Sequence, residues 1–86
     1  MKLPIIKKLT EFVADDRDED FLLETIDTLE AISEAPSVKD EELDVIGELL
    51  SNLYGAIEVQ KEIDAGKPQR EALNGFMKRV MGSIDA

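Results

Sequence analysis

The chain has 86 residues, with ten Lys and Arg against twenty Asp and Glu, and it contains no Cys, His or Trp. That length makes one domain, residues 1–86, which buries only about 60–65% of its unfolded surface on folding. The missing Cys and His exclude disulfides, thiol chemistry and the commonest transition-metal ligands.

The pattern predicts four helices. The first runs from about Pro4 to Ala14. Pro4 suits the first helical position, where a missing N–H costs nothing. Ile5, Leu9, Phe12 and Val13 fall on one face, with Ile6 at its edge. Residues 15–20 form an acidic hinge. Within it Asp16 and Glu19 have the spacing of a capping box for the second helix.

The second helix extends to about Glu34, with Leu22, Ile26, Leu29 and Ile32 inward and Phe21 and Leu23 flanking. Pro36 ends it. Ser37 is the expected N-cap of the third helix, and Asp40, Glu41 and Glu42 follow in its first turn. The third helix reaches about Ala65, where Gly66 and Pro68 supply the stop and open the fourth helix. The fourth runs to about Ser83. Its inward set is Leu73, Phe76, Met77, Val80 and Ile84, with Met81 beside them. Short connections favour antiparallel neighbours. The expected fold is therefore all-α, a four-helix bundle with a long central third helix.

The third helix carries the most information. Leu43, Val45, Ile46, Leu49, Leu50, Leu53, Tyr54, Ala56 and Ile57 spread over about half of its circumference, more than one neighbour requires. Leu53 and Ile57 lie near the middle of this arc and are expected in the core. Gly47, Ser51 and Gly55 form a row with almost no side chains. Each Gly costs a helix about 1 kcal/mol against Ala, so the row suggests a close helix approach, within the chain or between chains.

Charge is uneven along the chain. Residues 1–10 carry +3 through Lys2, Lys7 and Lys8, residues 11–48 carry −13, and the remainder is neutral. Such a middle repels a phosphate backbone, so nucleic acid is not an expected partner. Lys2, Lys7 and Lys8 on a short first helix are too few for membrane attachment, and no run approaches the roughly 20 apolar residues of a span. The N-terminal residues do not form a signal peptide, which makes a cytoplasmic location the simplest expectation.

Candidate chemistry is sparse. Asp16, Asp18 and Asp20 resemble the start of a calcium loop, but Phe21 stands where the loop needs Gly and Asp27 where it needs Glu. Helix capping explains the same acids. The pairs Glu24/Asp27 and Asp44/Glu48 read as solvated surface, since no His accompanies them. The serines lack a His base, and the 66–68 turn lacks phosphate-loop glycines. No catalytic residue, metal site or cofactor is expected.

Two segments, SVKDEELDVIGELLSNLYGA at 37–56 and ALNGFMKRVMGSID at 72–85, resemble a family of short acidic all-helical bacterial proteins of unknown function. The similarity runs nearly end to end. It implies no site residues. Relatives encoded near thiol-dependent peroxidases and thioredoxin-like proteins imply a supporting role in redox defence, which a chain without Cys could not perform by thiol exchange itself.

These readings favour a non-catalytic interaction or accessory protein, a homodimer with an acidic surface suited to a basic protein partner. The alternative is a divalent-cation-binding protein or enzyme using surface carboxylates. The expected dimer interface lies in the C-terminal half, near Gly47, Ser51 and Gly55, with Tyr54, Phe76 and Met81 as apolar contacts.

Overall fold

A computed structural model describes the backbone of residues 2–16 and 19–85, together with their side chains except at residues 15, 16, 19 and 81–85. It contains four helices: α1 (Leu3–Asp16), α2 (Glu19–Ser33), α3 (Asp40–Asp64) and α4 (Gln69–Asp85). No strand occurs among the described residues. The helices form a bundle around α3, which touches each of the others. No helix among these residues is long and apolar enough to cross a membrane.

The helix ends follow backbone chemistry with two changes from expectation. α3 is capped at Lys39 rather than Ser37. The Lys39 carbonyl accepts the first intrahelical bond from Leu43 at 2.9 Å, and the Glu42 carboxylate accepts the Lys39 N–H at 2.9 Å. Glu42, the third helical residue, thus reaches back to the N–H of the capping residue. Pro68 similarly sits just outside α4, its carbonyl accepting the Ala72 N–H. The end of α3 is as expected. Gly66 takes φ +112, the Gly66 N–H bonds the Ile63 carbonyl, and the Lys67 N–H bonds the Glu62 carbonyl. This paired closure needs a left-handed residue, which glycine adopts without strain. The Asp16–Glu19 capping box lies outside the described side chains.

Two contacts fix how α1 lies. The Lys2 N–H donates to Asn52 Oδ1 at 2.9 Å, and Gln69 Nε2 donates to Thr10 Oγ1 at 3.0 Å. The start of α1 is therefore level with Asn52 and its middle level with the α3–α4 turn. α1 runs alongside the C-terminal half of α3 in the same direction, and α2 returns antiparallel to both.

The core consists of Ile6, Val13, Leu22, Ile26, Leu53, Ala56, Ile57, Val59, Ala72, Leu73 and Phe76. Leu53 and Ile57 are buried as their pattern predicts. The inward face of α1 is rotated from expectation. Ile6, Thr10 and Val13 are buried, whereas Ile5 and Phe12 are exposed. The adjacent pairs Ile5–Ile6 and Phe12–Val13 allow two phasings, and the observed one centres on Thr10. Its hydroxyl is satisfied by the Lys7 carbonyl and by Gln69, so burying it leaves no orphan group. Ile32 of α2 is also exposed, contrary to its inward pattern, while Leu29 packs against the core edge. Ile84 lies among the undescribed side chains.

Truncating Leu53 or Ile57 to Ala should lower unfolding free energy by about 2–5 kcal/mol in urea titrations. Phe12→Ala, at an exposed position, should cost much less. Equal losses at all three positions would contradict this core.

Candidate interaction surface

Every buried residue of α3 lies between Asn52 and Gln60. The N-terminal half of the helix, from Asp40 to Ser51, contains no buried residue. Leu43, Val45 and Leu49 are exposed there, Val45 to 58% and Leu49 to 43%. The cause is geometric. Val45, Leu49, Asn52, Ala56, Val59 and Ile63 recur at alternating steps of four and three, which keeps them on one side of α3. α1 covers that side only from Asn52 onward. The same stripe continues uncovered as Leu49 and Val45. Contacts from α4 also fall late in α3: Arg79 Nη1 pairs with Glu62 Oε1 at 2.8 Å, and Arg79 Nη2 lies 3.8 Å from Glu58.

Ile32 extends this apolar area onto α2. Phe21 meets Phe12 of α1, with ring centroids 5.6 Å apart, so Phe21 marks the side of α2 that faces α1. Ile32 follows eleven residues later, about three turns, on that same side. Ile32, Val45 and Leu49 thus border a stretch of the α2–α3 pair that α1 leaves bare. Acids surround it. Asp40, Glu41, Glu42, Asp44 and Glu48 are all exposed. Lys2 Nζ lies 3.7 Å from Glu48 at the lower edge.

Asn52 marks the boundary between the covered and bare halves. It is buried, with Oδ1 accepting from the Lys2 backbone and Nδ2 donating to the Glu48 carbonyl at 2.9 Å. The sequence pattern overlooks Asn52, because a polar residue in an apolar stripe carries no signal of where a neighbouring helix starts.

The sequence-predicted contact residues separate. Gly55 is buried, but Gly47 and Ser51 are exposed, and a Cβ built at Gly47 meets nothing within 4 Å. The row is therefore not filled along its length by another helix of this chain. Phe76 belongs to the core, where it floors a groove of about 390 Å³ between α3 and α4 that Tyr54, Gly55 and Val80 also line. Tyr54 is 53% exposed on the far side of α3 from Val45, and its hydroxyl donates to Glu30 Oε1 at 3.0 Å. That hydrogen bond raises the Tyr54 pKa above 10.0, with slight desolvation and the charges of Glu30 and Asp27 acting the same way. The Met81 side chain and the side chain of Asp16 lie outside the described residues, as does Asp18. Among the described residues no three carboxylates converge as a metal site would require.

The chain belongs to DUF6952, a family of unknown function, whose model matches residues 1–85. No curated protein and no solved structure matches it.

Tyr54 is the only tyrosine, and there is no Trp, so its ionisation can be followed by ultraviolet absorbance without interference. The midpoint should lie above the usual tyrosine value, and Glu30→Gln should bring it down. Because the folded pKa is the higher one, this contact stabilises below pH 10 and its contribution is lost as pH rises through the folded value. An unshifted midpoint in the wild type would rule the contact out. At the glycine row, Gly47→Ala should stabilise the helix by about 0.5–1 kcal/mol, read from thermal unfolding, since the added methyl meets no neighbour.

Proposed function

We propose that this chain is a non-catalytic interaction protein of the cytoplasm that works as a homodimer and presents an acidic surface to a basic protein partner. The observation that carries this reading is the bare apolar stretch at Ile32, Val45 and Leu49, set among exposed acids. Large apolar side chains grouped in this way and rimmed by charge are characteristic of surfaces that meet other proteins.

A compact monomer of 9.6 kDa has an accessible surface of about 5,100 Å². This chain has 5971 Å², roughly 900 Å² more, as its elongated shape of 43 × 36 × 16 Å requires. The radius of gyration is 13.9 Å, against about 12 Å for a compact domain of this length. The absence of Cys fits a reducing compartment. Any part in thiol-redox defence would run through contacts with another protein, since the chain has no thiol.

Sedimentation equilibrium at micromolar concentration tests the dimer. Two chains of formal charge −10 repel, so the dimer fraction should rise between low and moderate salt. A single monomer mass under both conditions would end the homodimer reading.

A further inference from the structure

The bare half of α3 has a shape and a charge pattern that suit one occupant. We infer that a second copy of this chain covers it, with the two α3 helices antiparallel and crossing between Val45 and Leu49, so that Val45 of each copy lies against Leu49 of the other. This deepens the homodimer reading and rests on it, and it places the interface on the Val45–Leu49 side of early α3 rather than on the side of Tyr54 and Phe76.

Three observations converge. The first is the continuous stripe. Its spacing of four and three, from Val45 to Ile63, is that of helices packed side by side. Within the chain α1 occupies the stripe only from Asn52. The bare part repeats the packing chemistry of the covered part, so another helix is the fitting occupant.

The second is charge. An antiparallel crossing centred between positions 45 and 49 brings position 52 of one copy level with position 42 of the other. Lys2 is held beside Asn52 and Glu48 by its backbone bond and its ion pair. The basic start of α1 in one copy would therefore approach Asp40, Glu41 and Glu42 in the first turn of α3 in the other. Two-fold symmetry makes that approach twice. The crossing still brings Asp44 and Glu48 of the two copies within about one turn of each other, whereas a parallel pairing stacks all five acids from Asp40 to Glu48 against their counterparts. These exposed charges select the orientation and add little affinity, so net repulsion still governs the response to salt.

The third is area. Ile32, Val45 and Leu49 are 47%, 58% and 43% exposed, so apolar area lies open along the bare turns of α3. Ile32 and Leu49 supply large apolar groups to the middle of such an interface, and both are exposed in the single chain.

The test uses the full chain. Val45→Glu and Leu49→Glu each place a carboxylate in the interface twice, and each should weaken dimerisation at least about a hundredfold in sedimentation equilibrium. Circular dichroism should show unchanged helix content, because both positions are exposed in the single chain. Tyr54→Ser, on the far side of α3, should leave the dimer intact. Orientation is read independently. The chain has no Cys, so Lys39→Cys takes a single spin label per copy. Antiparallel packing puts the two labelled backbones about 25 Å apart, and parallel packing about 10 Å. A wild-type dimer that survives both Glu substitutions, or that gives the short distance, overturns this arrangement while leaving the homodimer reading standing. A wild-type monomer overturns both.

Discussion

A helix of 25 residues is about 37 Å long, whereas the 14 and 15 residues of α1 and α2 reach about 21 and 22 Å. Neighbours of that length can sheathe the whole of α3 only if they are staggered along it. Instead α1 is pinned at Asn52 and the α4 ion pairs fall at Glu58 and Glu62, so both lie against the later turns. The consequences run through the molecule. The buried residues of α3 collect between Asn52 and Gln60, its first three turns bury none, and the apolar stripe outlasts its cover. The extended dimensions, 43 × 36 × 16 Å, express the same mismatch.

The bare surface combines two properties that oppose each other. Ile32, Val45 and Leu49 favour burial, while the acids of early α3 favour solvent and repel a second acidic chain. Burial of apolar area does not depend on ionic strength, but the repulsion does. In the proposed homodimer, association would follow how well these charges are screened or paired. Lys2, Lys7 and Lys8 are the only basic residues of the first ten, and Lys2 stands at the border of the bare stretch, where pairing has the most effect.

Much of the architecture was legible in the sequence, because helix stops and apolar period are local properties. Gly66, Pro36 and the spacing of Leu22, Ile26, Leu53, Ile57, Leu73 and Phe76 each required no knowledge of the rest of the chain. The excessive width of the apolar arc on α3 was legible too. Which part of that arc would stay bare was not, since this depends on where α1 is anchored. The anchor is a hydrogen bond between Lys2 and Asn52, fifty residues apart, and periodicity assigns Asn52 no role. The phase of α1 was missed for a related reason. Thr10 reads as an outward residue until Gln69, at the start of α4, supplies its partner. The glycine row is not filled along its length by a helix of this chain. Two glycines in a helix suggest close approach, yet Gly47 faces open space.

The polar character of the α1 seat has a consequence for how the chain opens. Thr10, Asn52 and Gln60 are all buried. A seam with hydroxyl and amide groups in it gives less hydrophobic hold than the Leu53–Ile57–Phe76 centre, and water can replace its bonds when it parts. The α3–α4 hairpin is closed by its own turn and meets α1 through the Gln69–Thr10 hydrogen bond and the shared core. α1 also places Ile6 and Val13 in the core, so its hold on α3 is apolar as well as polar. Were α1 to part from this seat, Ala56, Val59 and Ile63 would be bared as well, lengthening the apolar stripe from two turns to the full run of the helix.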